Sequence, residues 1–201
     1  MNYNNIYKSS KNTWGLEPNK LLQIIISEIP KNSDVLDLGS AQGKDSLFLA
    51  THKHRVTAVE KSRVACRQLS NILKREKDLD IRVICQDIAD FKIENKYFLI
   101  NIQNVLHFID KKEGLKIIKK CKNVLLDDGF LIISSFTTLD SSFQSNKAKL
   151  KTFFNKQELL KIFTGFHIMY YFEGRVLDKG HPGKTKQHYH EVTRIIVKKS
   201  I

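Results

Sequence analysis

Runs of consecutive apolar residues alternate along this chain with stretches whose apolar positions recur every third or fourth residue. That alternation predicts buried strands interleaved with amphipathic helices, an α/β fold. Seven strands are expected, over Asp34–Leu38, Arg55–Glu60, Ile81–Cys85, Tyr97–Ile102, Phe130–Phe136, Phe166–Gly174 and Glu191–Lys198. Between them lie helical patterns. Lys20–Ile29 puts Leu21, Leu22, Ile25 and Ile29 on one stripe and stops at Pro30. A second helix runs from Gly43 to Thr51, and a third from Ser62, a suitable N-cap, to about Lys77. Lys111–Leu126 aligns Leu115, Ile118, Cys121 and Leu125, and Asn155-Lys-Gln-Glu158 has capping-box spacing ahead of a helix ending at Phe163. Residues 1–13 are polar and aperiodic, so a flexible arm is expected there, with one domain over 14–201. The polar stretch Thr137–Lys151 reads as a solvated loop or a cover over a substrate.

One segment organises the rest. Val35-Leu-Asp37-Leu-Gly39-Ser40-Ala41-Gln42-Gly43 joins the first strand to its helix through a glycine turn. Glycines there permit a sharp bend and a close approach of ligand to main chain, and the free N–H groups of the helix start face that ligand. Asp37, at the strand's carboxyl end, is expected to aim a carboxylate into the same crevice, where open α/β sheets bind ligands. Glu60 ends the next strand at a spacing that fits a turn, a helix and a strand, and its two oxygens can accept both hydroxyls of a ribose. A dinucleotide-binding dehydrogenase would need a third glycine that this loop lacks.

Asp37-Leu-Gly39-Ser-Ala-Gln-Gly43 resembles the first motif of the class I S-adenosylmethionine-dependent methyltransferases, with Ala41 at the middle glycine. Leu-Asp127-Asp128-Gly129-Phe-Leu-Ile similarly resembles that superfamily's turn before strand five. The resemblance implies a Rossmann-like, mostly parallel seven-stranded sheet flanked by helices, with an antiparallel C-terminal hairpin. It implies S-adenosyl-L-methionine as cofactor, with Asp37, Gly39, Ser40, Gln42, Gly43, Glu60 and Lys61 around its methionine and ribose. Asp87, Ile88 and Gln103 follow toward the adenine and the methyl group. For Asp87, a plain turn cap is the competing reading. Trp14-Gly-Leu-Glu17-Pro-Asn, Phe154-Asn-Lys-Gln-Glu158-Leu and the histidine-rich tail Asp178–Arg194 are similar to the tellurite-resistance (TehB-like) branch. That branch implies methylation of soft oxyanions such as tellurite and selenite, with His181 in the position of its substrate-holding histidine.

Composition adjusts this picture only slightly. The 201 residues are 41% hydrophobic and 27% charged, as expected of one globular domain. The net charge of +13 suits an anionic partner, but the lysines are scattered, so nucleic acid is not favoured. No apolar run reaches membrane-spanning length and no signal-like core opens the chain, so a cytoplasmic protein without membrane association is expected. Cys66, Cys85 and Cys121 then read as reduced apolar fillers.

Candidate acceptor chemistry lies at Trp14, Asn104, His107, His181, His188 and Arg194. Trp14 staples the first helix down or lids the site. Gln103, Asn104 and His107 follow strand four, where the resemblance implies contact with substrate. The Asn-Pro-Pro-aromatic motif of amide and amine methyltransferases is missing there. His181 and His107 are the candidate general bases, although His107 sits among apolar neighbours as a core histidine would. His188 and His190 alternate onto one strand face and with His181 can hold a metal. No carboxylate or cysteine visibly completes that set, so no metal is expected. The expected function is methyl transfer to a small anionic or soft acceptor. An RNA methyltransferase and a non-catalytic cofactor-binding regulator are the alternatives.

Overall fold

A computed structural model describes residues 3–144, 150–181 and 185–200. Part of the 137–151 stretch, and Pro182–Lys184 of the histidine-rich tail, therefore lie outside the described residues. The strands are β1 (Asp34–Leu38), β2 (Arg55–Glu60), β3 (Ile81–Cys85), β4 (Tyr97–Gln103), β5 (Leu125–Phe136), β6 (His167–Asp178) and β7 (His188–Lys198). They form one sheet in the order β3-β2-β1-β4-β5-β7-β6. The first five run parallel, and β7 pairs antiparallel with β5 and β6. This is the expected α/β sheet with its antiparallel C-terminal hairpin.

Period-two alternation sends neighbouring residues to opposite faces and so builds two cores. Leu36, Ile100, Ile133 and Ile195 face α5 (Lys111–Val124), whose Ile117, Ile118 and Cys121 pack onto them. Val35, Leu99, Ile132 and Ile196 face the other way, toward Leu21, Leu22 and Ile25 of α2 (Lys20–Ile25) and Leu49 of α3 (Lys44–Thr51). Each fully buried Leu or Ile contributes about 1.5–3 kcal/mol. The α5 stripe is rotated from expectation: Gly114 is buried and Leu115 only partly so. α4 (Arg63–Leu73) begins as expected, with the Ser62 hydroxyl accepting from Ala65 N.

Three features depart from the sequence reading. Residues 3–9 are not an arm but a helix, α1 (Tyr3–Ser9), which buries Tyr7. Gln68 of α4 donates to the Tyr7 carbonyl at 2.7 Å. The Asp127–Gly129 turn lies inside β5 as a kink with Asp128 at φ +61°, where the pairing with β4 shifts register. The C-terminal hairpin is longer than expected at both strands, and from His190 outward β7 pairs with β6 alone. Its end overhangs the carboxyl edge of the parallel strands. Two further short helices are α6 (Ser141–Gln144) and α7 (Glu158–Ile162), and Glu158 back-bonds to Asn155 N as a capping box does.

Candidate functional site

The glycine turn is held against β2 by Gly39 N and Ser40 N, both donating to the Val59 carbonyl at 2.8 and 3.1 Å. Gly39 and Gly43 adopt φ +77° and +87°, so both positions favour glycine. Close packing reinforces this, because a Cβ on Gly39 would lie 2.5 Å from Val105 and one on Gly43 2.6 Å from Leu69. Beside the turn, Glu60 is buried at the end of β2. One of its oxygens accepts from Ala41 N at 3.0 Å and the other from Ser62 N at 2.7 Å. Burial raises its pKa against those two bonds. Each oxygen keeps acceptor capacity beyond its one N–H. The Ser40 hydroxyl is buried here without a hydrogen-bond partner among the described residues, as is that of Thr13.

Asp37 is buried at the carboxyl end of β1. Alternation turns it beneath the loop, where Ser46 Oγ donates to one oxygen at 2.5 Å and Asn101 Nδ2 to the other at 2.9 Å. Burial and then the neighbouring charge of Asp45 raise its pKa. Asp45 in turn accepts from the backbone and side-chain amides of Asn19. Asp37 is a buried strut joining β1, α3 and β4.

Gln42 binds the N-terminal segment and α4. It accepts from Thr13 N at 2.8 Å and donates to Ser10 O and Gln68 Oε1 at 2.7 and 2.8 Å. It thereby ties residues 10–13 to the loop and lays α1 over Glu60. Ser62 Oγ donates to Asn4 Oδ1 at 2.7 Å. The Tyr3 phenol is raised to about 12 by burial and then by Glu60, which marks how near they lie. Trp14 donates from its indole to the Tyr7 hydroxyl and faces His181 at 6.3 Å between ring centroids. It is 37% exposed and packs toward α1 and the histidine-rich hairpin. Sequence reasoning missed α1; its one signal was the pair Tyr3 and Tyr7, a helical turn apart.

At the ends of β2 and β3, Lys61 Nζ reaches Asp87 Oδ2 at 3.4 Å. Asp87 also caps its own turn through Ala89 N. Ile88 is buried against Leu38, Val59 and Leu106 in one apolar cluster.

On the other side of β4 opens a cleft of about 470 Å³, lined among others by Lys20, Gln103, Asn104, Ser134 and Arg194. Gln103 donates to Asn101 Oδ1, joining the cleft to the network around Asp37. Asn104 takes a left-handed φ of +55° and is pinned to Ser134 through both its backbone N and its Oδ1. Arg194 is half-buried there with no acidic partner among the described residues, and burial lowers its pKa.

His107 does not reach this cleft. It is buried in a ring stack against Phe108 and Phe136, with centroids 4.1 and 4.5 Å away, and its Nδ1 has no partner. Burial, then the nearby His190, lowers its pKa to about 3. This is a neutral core imidazole, not a positioned base.

His181, His188 and His190 do come together, on the overhanging hairpin. The carboxylate missing from the sequence pattern is supplied by Asp178, which pairs with His188 across the hairpin. Their ligand atoms and those of His181 and His190 all lie within 4.8 Å of one another. The expectation of an incomplete set is thus corrected by strand register, which a linear reading does not reveal.

Comparison with known proteins follows this geometry. The family model "Tellurite resistance protein TehB" matches residues 15–188. A curated relative, "Probable S-adenosyl-L-methionine-dependent methyltransferase TehB" from Haemophilus influenzae, is 29% identical over 134 residues, 63% of this chain and 46% of its own. The chain thus spans about half the length of that relative. The crystal structure of the Haemophilus influenzae TehB superposes with a TM-score of 0.79 at 20% identity, over 90% of this chain and 62% of that one. N-methyltransferase NodS from Bradyrhizobium japonicum WM9, solved alone and with S-adenosyl-L-homocysteine, gives 0.66 at 18% identity, over 90% of this chain. Free NodS is covered over 93% of its chain. With a family match running from the segment after Trp14 to the start of β7, this chain belongs to the TehB family.

Proposed function

We propose that this protein is an S-adenosyl-L-methionine-dependent methyltransferase acting on a small anionic or soft acceptor such as an oxyanion or thiolate. The observation that carries this reading is a juxtaposition at one sheet edge. A buried carboxylate beside a glycine turn lies on one side of β4, and an unpaired guanidinium in a cleft lies on the other. The names of the TehB relative and NodS support the cofactor.

The residues fit that cofactor. Glu60 retains acceptor capacity for ribose hydroxyls, and the unpartnered hydroxyls of Ser40 and Thr13 offer polar contacts near the turn. Lys61, Asp87 and Ile88 border the adenine side, Gly39 and Gly43 shape the turn, and Gln103 separates the two halves. When bound, the cofactor supplies a methyl group on a sulfonium, electrophilic enough that an anionic acceptor needs no general base. The chain's task is then to desolvate and align, bringing the reacting atoms to about 3–3.5 Å. Arg194, assisted by Lys20, holds the acceptor's negative charge. Asn104 shapes the cleft wall, and His181 orients the acceptor beneath Trp14. His188 lies behind it on the hairpin.

Calorimetry with the cofactor tests the first half. Glu60→Ala is expected to weaken binding about tenfold or more, since a charged hydrogen-bond partner is lost. Equal affinity removes Glu60 from the site. Methyl-labelled cofactor offered with tellurite, selenite, thiols, small metabolites and RNA tests the second. Label in the small anionic acceptors is expected. Label confined to RNA, or no transfer at all, overturns the reading in favour of an RNA enzyme or a cofactor-binding regulator.

A further inference from the structure

We propose that Asp178, His181, His188 and His190 form a binding site for a divalent transition-metal ion of the zinc or cobalt class. The hydrogen bonds of two of the imidazoles fix their tautomers. His190 Nδ1 lies 2.8 Å from Asp140 Oδ2, and His188 Nδ1 lies 2.9 Å from the Lys186 carbonyl. Both partners are acceptors, so both Nδ1 atoms carry the hydrogen. In the neutral rings each Nε2 is then a lone pair, and these two Nε2 atoms face one another at 2.9 Å. Two lone pairs at that distance repel unless a cation lies between or beside them.

The surroundings supply the rest of a ligand set. Asp178 Oδ2 lies 4.0 Å from His190 Nε2, while Asp178 Oδ1 is held by Gly180 N at 2.7 Å. The His181 ring lies 5.0 Å from that of His188 and 6.0 Å from that of His190. Donors now within 4.8 Å of one another, the closest pair at 2.9 Å, need adjust only to about 3.3 Å, the separation that four bonds of about 2.0–2.1 Å impose on a tetrahedral ion.

Behind the ligands stands Asp140, wholly buried, which accepts from His190 and also from Glu191 N at 2.9 Å. A carboxylate behind a ligating imidazole fixes its tautomer and raises its basicity. Three imidazoles and one carboxylate are of borderline hardness, which selects zinc or cobalt over calcium or magnesium. The set is closed, with four protein ligands, so with the ion bound the hairpin end is locked over the cleft, His181 is withdrawn from the acceptor and Arg194 carries the acceptor's charge. This goes beyond the methyl-transfer reading and does not rest on it.

The test uses untagged full-length protein, stripped with a chelator and titrated with Co(II), followed by visible d–d absorption. Saturation at one ion per chain with a tetrahedral spectrum, reversed by Zn(II), is expected. Asp178→Asn and His188→Ala should each weaken binding at least tenfold, and Asp140→Asn about 10–100-fold. His52→Ala, an exposed histidine elsewhere, should leave it unchanged. Circular dichroism and cofactor affinity, measured on the same samples, report whether each variant is folded. No saturable Co(II) spectrum, which leaves the two rings as a proton-sharing pair, overturns the site. So does equal affinity in folded Asp178→Asn and His188→Ala. Loss of cofactor binding with metal binding intact would instead count against the methyltransferase reading alone.

Discussion

Arg194, which we propose holds the acceptor, shows most directly what a half-buried charge costs a fold. Its guanidinium is half-buried without an acidic partner among the described residues, and removing a charge from water is unfavourable unless something compensates. Arg194→Met is therefore expected to raise stability to urea by on the order of 1 kcal/mol while raising KM for the acceptor at least tenfold, with cofactor affinity unchanged. A variant that is less stable, or that keeps its KM, removes Arg194 from acceptor binding. Other residues were legible to different depths. Gly39 was readable as a required glycine, but its reason is the nearness of Val105 as much as room for a ligand. Ala41, in the place of the middle glycine, takes φ +51° all the same, a conformation that costs a residue with a Cβ roughly 1–2 kcal/mol. Asp37 was readable as a carboxylate at a strand end, but not its partners Ser46 and Asn101, because they lie on other elements.

Among the elements, strands were read most accurately, because apolar runs such as Phe130–Phe136 persist long enough to be unambiguous. α1 escaped because seven residues make less than two turns, too short for a period to emerge, and its stability comes from docking on α4. It lies beside Glu60, the proposed ribose-binding carboxylate. Tyr7→Ala removes the buried anchor that holds it and is expected to speed cofactor release severalfold, measured by stopped-flow displacement, while the far-ultraviolet dichroism of the sheet persists. Unchanged release would make α1 a bystander. The hairpin β6–β7 was legible in its cores but not at its tip. Asp178 and His188 are ten positions apart in sequence and meet only through antiparallel register.

For the whole molecule, buried titratable groups set the pH dependence. The His107 imidazole takes up a proton only near pH 3 when folded, against about 6.5 when unfolded. Between those values the unfolded chain binds the extra proton, so stability falls as pH falls, by on the order of 1 kcal/mol per unit. Asp37 and Glu60, whose pKa values burial raises, act in the opposite sense above the ordinary carboxylate range. The difference between wild type and His107→Phe in urea titrations at pH 7, 5 and 4, rather than either curve alone, therefore isolates the imidazole. The variant should lose that part of the acid sensitivity, and parallel curves would show His107 protonated in the fold. The carboxyl edge itself divides unevenly. The end beside Glu60 is built by five parallel strands, whereas from His190 outward β7 is laddered to β6 alone. Inserting or deleting residues in opposed pairs there would slide the imidazole cluster along its axis in steps of about 7 Å while every side chain keeps its face; a single insertion would turn the cluster toward solvent. Length variation at this tip, in even increments, is thus a cheap route by which such a scaffold can be refitted to acceptors of different size without disturbing the opposite end.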